Sequence, residues 1–324
     1  MLEILSHGAL NSIQDLGRRA YLAQGVSLSG AMDAEALCLA NLMVGNAPEA
    51  AAIEINVFPF RVRFLTAQWF ACAGAFGQVS HNARAHQGWW SAQAQAGDEV
   101  QIAAPEQGTR SYFAVRGGFA VPEVLGSCST ELKSGFGGWQ GRALKKNDRL
   151  HMHPCEPLAR QQAQFGLMPQ SRLAGLAMNP PLVRVIAGAE YGCFKAEALR
   201  DFEHTDHQLS PECNRQGLRL QGPTLRLAQP LELLSHGIVP GTIQVPPSGQ
   251  AIIQMAEANT CGGYPKIATV ISSDLWRVAQ LRPGQSLRFQ VIEHAQAVEI
   301  MRAQALEMHK LSEVLRMGNQ RTTG

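Results

Sequence analysis

Hydrophobic residues in this chain alternate over short runs far more often than they recur at helical spacing, and that period constrains the fold more than any other feature. FRVRFL at 60–65 sets Phe60, Val62 and Phe64 against Arg61 and Arg63, and DEVQIAA at 98–104 and RSYFAV at 110–115 follow closely. Alternation of this kind buries one face of a sheet and leaves the other wet. A second strand-rich block opens at LVRVIAG, 182–188, and LRLQGPTLRL at 218–227 predicts a hairpin with Gly222-Pro223 at its turn. Helical patterns are few. DAEALCLANLMVGN at 33–46 has Asp33 placed to cap it and Gly45 to stop it, and SSDLWRVAQ at 272–280 is a second. A long amphipathic stretch from His294 to Met317 is expected to turn Val298, Met301, Leu306, Leu311 and Leu315 toward the protein. The βαβ alternation of a doubly wound sheet is missing, so the prediction is a mainly β chain with two β-barrel units, a few capping helices and a C-terminal helix.

With 324 residues there is enough chain for two cores. The segment 156–181 has no sustained period and ends in paired prolines, which predicts domains at 1–165 and 182–324 joined by a linker at 166–181. LSHGALNSIQ at 5–14 and LSHGIVPGTIQ at 234–244 echo one another, as two loops built alike on two related units would.

Charge excludes some functions. With 28 basic and 26 acidic residues the net charge is +2, giving no electrostatic case for nucleic acid or an anionic membrane. The start, MLEILSHGALNSIQD, has no basic region followed by an apolar one, and no stretch approaches the roughly 18 uncharged apolar residues of a membrane span. A cytoplasmic protein acting on a small molecule is the expectation. Seven scattered cysteines without a C-x-x-C pair predict reduced thiols, and HMHPC at 151–155 lacks the closed ligand spacing of structural zinc, so no metal site is predicted.

Nucleotide and nucleophile motifs are also missing. In EANTCGGYPKIATV, 257–270, Lys266 follows a proline and leads into a strand, unlike a phosphate loop, and no G-x-S-x-G or H-E-x-x-H occurs. What remains is a set of polar residues among glycines and prolines, where rigid scaffolds carry chemistry. The cations Lys133, Arg215 and Lys266 suit an anionic substrate. The rest of the set is Asn214, Gln244, Glu257, Tyr264 and His236, the last suited equally to a satisfied core position and to acid–base or orienting work. Asp15 and Arg18, three apart, suit a pairing across a turn.

SIQDLGRRAYLAQGVSLSGAMDAEALCLANLMVGN, GSCSTELKSGFGGWQGR, LLSHGIVPGTIQVPPSGQ and NTCGGYPKIA together resemble the KipA family, also called allophanate hydrolase subunit 2 or the carboxyltransferase A/B half, over residues 1 to about 292. The resemblance implies a pair of cyclophilin-like β-barrel domains. It further implies one subunit of a three-part enzyme that opens 5-oxoproline to glutamate with ATP hydrolysis, beside a KipI-type and a LamB/YcsF-type subunit, with ATP bound atypically or by a partner. For that chemistry the candidate catalytic residues are His236, Glu257 and Lys266, and the candidate substrate-binding residues Lys133, Asn214, Arg215, Gln244 and Tyr264. Two alternatives stay open: the carboxyltransferase part of a biotin-dependent urea-carboxylase system, and a non-catalytic regulator that binds a KipI-type protein. The chain departs from the family pattern at C-N-R-Q-G, 213–217, where S-N-R-M-G is usual, and at E-A-N-T-C, 257–261, in place of D-x-Q-T-T.

Overall fold

The computed structural model describes residues 1–156, 158, 164–167 and 169–320. It divides into two compact units: Met1–Arg18, Ser29–Leu173 and the chain from Glu307 onward form the first, and Arg19–Leu28 with Ala174–Leu306 the second.

In the first unit two six-stranded sheets enclose one core. The first sheet runs Arg149–Leu150, Leu2–Ile4, Phe60–Phe64, Glu99–Ile102, Gln78–His81, Arg84–Gln87; the second runs Gln164–Leu167, Trp89–Ala94, Gln68–Phe76, Gln107–Val115, Ala52–Ile55, Ser12–Gln14. The alternation at 60–64 does what its period dictates: Phe60, Val62 and Phe64 are buried, while Arg61 and Arg63 turn outward and share Glu99 at 2.9 and 2.7 Å. Phe64, Phe70 and Phe113 meet in the core with centroids 5.6–6.3 Å apart. On the other face of the second sheet, Ala71, Ala73 and Ala114 leave room for the helix Ala34–Met43, which buries Leu37, Leu39 and Met43 there. Asp33 caps that helix by accepting from the Ala36 amide at 3.1 Å, and its other oxygen pairs with the buried Arg172. Asp15 holds the 127–129 loop, accepting from Ser127 Oγ and the Cys128 amide at 2.6 Å each. Arg18 donates to the carbonyls of Val124 and Ser129.

The second unit is a closed seven-strand barrel in the order Leu182–Ala187, Lys266–Val270, Thr242–Gln244, Ile252–Gln254, Gly217–Gln221, His207–Leu209, Ser286–Val291. A parallel pairing, Val183 opposite Phe289, closes it. Phe202 of the helix Ala196–His204 stacks on Phe289 with centroids 4.6 Å apart.

The echo between residues 5–14 and 234–244 is structural. Each LSHG precedes a three-residue strand that ends in a buried glutamine, and each strand pairs with a later one in the same register: Ile13 opposite Ile53 and Gln14 opposite Ala52, Ile243 opposite Ile253 and Gln244 opposite Ile252. The partner strands, AAIEIN at 51–56 and AIIQMA at 251–256, share Ala and Ile at equivalent places, Ala51 with Ala251 and Ile53 with Ile253. In both units the glutamine amide reaches a backbone carbonyl, Thr130 from Gln14 and Tyr264 from Gln244.

Three expectations differ from the structure. The stretch 166–181 holds the helix Gln170–Ala177, and the division between units falls inside it, after Leu173. The strand Gly217–Gln221 pairs with Ile252–Gln254 and His207–Leu209, not with 224–227; Leu225 is buried, and its amide donates to the Gly249 carbonyl at 2.9 Å. In the terminal helix His294–Gln320, Met301 and Leu306 are exposed, and the inward face runs through Met308, Leu311 and Leu315 at spacings of three and four, packing in the first unit's core. This is why the chain from Glu307 belongs with the first unit rather than with 182–306.

Candidate functional site

The loop 257–265 is tied down at both ends, and its ends bring together most of the polar residues singled out in the barrel. At its start the Glu257 amide donates to the Arg215 carbonyl at 2.8 Å, and Arg215 Nε donates to Glu257 Oε1 at 2.6 Å. Both side chains are buried, 7% and 4% exposed, so this is an ion pair held away from water. Midway, Cys261–Gly262 forms a two-residue ladder with His236–Gly237, placing His236 opposite Gly262. At its end the Val245 amide donates to the Pro265 carbonyl at 2.9 Å, and Lys266 begins the strand Lys266–Val270.

Lys266 is buried, and its ammonium donates to the carbonyls of Gly262 at 3.0 Å and Tyr264 at 3.4 Å. Its Nζ lies 3.4 Å from His236 Nδ1. Burial pushes the Lys266 amine below its usual range, and the carboxylate of Glu190 works in the opposite direction. The His236 ring is 42% exposed. Its Nδ1 also lies 3.1 Å from the Leu234 carbonyl, which it can meet only as a donor, whereas it can accept from Lys266 only without a proton. Which of the two contacts Nδ1 makes follows the tautomer of the ring.

Glu190 was not foreseen from the sequence. One of its oxygens accepts the Lys266 backbone N–H at 2.9 Å and the other lies 3.7 Å from His236 Nε2. The signal for it was an acid between glycines, GAEYG at 188–192, directly after a strand.

The other candidates are placed differently. Gln244 is buried, accepts from Gln254 Nε2 at 3.0 Å and reaches toward the Tyr264 carbonyl at 3.5 Å, so it braces the loop. A β-carbon on Gly262 would stand 2.7 Å from its amide nitrogen. Asn214 commits its side-chain oxygen to the amides of Gln216 at 2.8 Å and Gly217 at 3.2 Å, forming the turn that sets Arg215 in place. The Tyr264 side chain is exposed. Lys133 is exposed in the first unit, and the cluster in the barrel is built without it. Among the described residues no group of three or more His, Cys, Asp or Glu side chains is placed to hold a metal ion, and no helix is long and apolar enough to cross a membrane.

A mainly β chain with a closed barrel and this loop is of a known class: the family described as carboxyltransferase domain, subdomain A and B, matches residues 24–291, and the chain belongs to it. It is 40% identical over 289 residues to the C subunit of 5-oxoprolinase from Escherichia coli (strain K12), covering 89% of this chain and 90% of that protein. It is 35% identical over 315 residues to the C subunit of 5-oxoprolinase from Haemophilus influenzae, covering 97% and 99% respectively. Among solved structures, the urea amidolyase of K. lactis superimposes with a TM-score of 0.87 at 28% identity, over 96% of this chain and 20% of that one. The family named from the sequence motifs is the one found.

Proposed function

We propose that this chain is the C subunit of an ATP-dependent 5-oxoprolinase, the assembly that opens 5-oxoproline to L-glutamate. The observation that carries the proposal is its 40% and 35% identity, almost end to end, to two proteins of that name. The remaining subunits are of the KipI and LamB/YcsF types. A lactam resists hydrolysis, and transferring a phosphoryl group from ATP to its carbonyl oxygen makes the ring carbon electrophilic; one water adds there, the C–N bond breaks as the ring nitrogen takes a proton, and a second water hydrolyses the resulting acyl phosphate to glutamate and phosphate.

In the barrel Arg215 is held by Glu257, and Lys266 is aimed by two backbone carbonyls. ATP is bound atypically by this chain, by a partner subunit, or shared between them. In this chain Lys266 supplies a fixed positive charge for an anionic group of the substrate or its activated form. His236, on the exposed side of that charge, moves the proton. Arg215 and Glu257 fix the start of the loop, and Gln244 braces its end.

The test is ATP-dependent release of glutamate from 5-oxoproline by the purified chain, alone and with both partners. Activity is expected only from the three together. Turnover by the single chain, or none from the complete assembly, contradicts the proposal. The likeness to K. lactis urea amidolyase supports a second reading, carboxyl transfer from a biotin carrier supplied by another protein. Streptavidin detection of a biotinylated partner in a native pull-down would favour it.

A further inference from the structure

We propose that Glu190 is a charged positioning residue, whose carboxylate holds Lys266 and His236 as one unit. The inference rests on the reading that those two side chains serve the reaction, and it assigns a role to a residue 76 positions away from Lys266 in the chain.

Three observations meet at this carboxylate. First, the pairing of Thr242–Gln244 with Lys266–Val270 shifts register between Ile243 and Gln244, which brings Gln244 opposite Lys266. An irregularity of this kind frees a backbone group from the ladder and re-aims the side chain beside it. The Lys266 N–H is taken by Glu190 Oε2 at 2.9 Å.

Second, the other oxygen faces His236 Nε2 at 3.7 Å, on the opposite side of the ring from the nitrogen that meets Lys266 Nζ at 3.4 Å. One carboxylate thereby accepts from the backbone that aims the lysine and lies 3.7 Å from the ring beside its ammonium.

Third, the turn that carries Glu190 is fixed. The Gly188 amide donates to the Ile267 carbonyl at 2.9 Å, the Cys193 amide to the Glu190 carbonyl at 2.9 Å, and the Tyr191 hydroxyl to Glu203 at 3.1 Å. Glu190 is 8% exposed, and a carboxylate so far from water is costly unless it is paired. The groups facing the Lys266 ammonium are the Gly262 and Tyr264 carbonyls, the His236 ring and, across it, Glu190.

A purely structural Glu190 would only satisfy the Lys266 amide, and a glutamine of the same length would do so equally well. A charged positioning residue would not survive that change. The experiment compares Glu190→Gln and Glu190→Asp with the parent. In the isolated chain, nitrogen-detected NMR titration of Lys266 Nζ is expected to show its pKa falling further below the ordinary lysine value in Glu190→Gln; an unchanged value overturns the proposal. In the assembled enzyme Glu190→Gln is expected to lower kcat at least about tenfold with KM little changed, and to move the alkaline limb of the pH–rate profile to lower pH. Glu190→Asp, which keeps the charge, is expected to retain more activity than Glu190→Gln. The reverse order, with Glu190→Gln equal to the parent, also overturns it. If Glu190→Gln does not fold, the Lys266 titration in Glu190→Asp decides, since a carboxylate drawn back by one methylene must weaken its pull on the amine. A Lys266 shift as expected in a chain whose assembly never opens 5-oxoproline would leave the role of Glu190 standing and remove the 5-oxoprolinase reading.

Discussion

The carbonyl oxygen of Lys266 approaches Gly188 so closely that a β-carbon built on the glycine would stand 2.1 Å from it. The obstacle is backbone on both sides, so no side chain can rotate away to relieve it. Gly188→Ala is therefore expected to push the 188–190 turn off the Lys266–Ile267 backbone, displacing Glu190 and lowering both melting temperature and activity, the latter at least about tenfold. Differential scanning fluorimetry with steady-state kinetics of the assembled enzyme checks this; parent-like values of both would show that the turn has freedom the geometry denies.

The Arg215–Glu257 pair should act as a unit. Removing either partner breaks a buried ion pair, a loss of about 3–5 kcal/mol, and removing both is expected to cost less than the two single losses added together. Urea unfolding of Arg215→Met, Glu257→Leu and the double variant measures the coupling. Additive losses would mean that the two charges do not depend on one another.

Much of this arrangement was legible in the sequence, and the parts that were not share a cause. The strand at 60–64 and the Asp33 cap could be read because both are set by residues within one turn or one pleat of each other. The repeated LSHG could be read because the copies kept their letters. Lys266, His236 and Gln244 announced themselves as polar residues in glycine-flanked loops. Glu190 did not, because its meaning lies in a contact with a strand 76 residues later. Leucines 225 and 227 alternate as a strand would, yet alternation records burial and not the partner, and the partners of 217–221 lie elsewhere. In the terminal helix, Met301 and Leu306 were expected inward although spacings of five cannot keep residues on one face.

That helix gives a direct contrast. Leu315 is 7% exposed against the core beside the helix Ala34–Met43, and Leu306 is 55% exposed. Leu315→Ala is expected to cost about 2–5 kcal/mol, and Leu306→Ala to stay within about 0.5 kcal/mol. Chemical denaturation of the two variants side by side settles it; equal losses would contradict the inward face assigned here.

Stability should depend on pH through Lys266. Burial lowers its pKa in the folded chain, so across the window between that value and the ordinary 10.5 the unfolded chain holds the proton more tightly. Stability then rises with pH through this window, and the cost of a buried ammonium is fully present below it. Lys266→Met removes the titration. Denaturant unfolding at pH 7 and pH 10 is expected to show the parent gaining relative to Lys266→Met at the higher pH; a constant difference would contradict the lowered pKa.

The central claim is that the Lys266 ammonium, held by the carbonyls of Gly262 and Tyr264 beside His236, is the charge on which catalysis by the assembled enzyme depends. Its most direct test is the steady-state rate of 5-oxoproline hydrolysis by the enzyme assembled with the proposed partners and carrying Lys266→Ala, with its melting temperature measured alongside. A lost charge-assisted contact of roughly 1.5–3 kcal/mol corresponds to a fall of about 10- to 150-fold in kcat/KM, and that fall, with melting close to the parent's, is the predicted result. Activity within about twofold of the parent would contradict the account and take Lys266 out of the site.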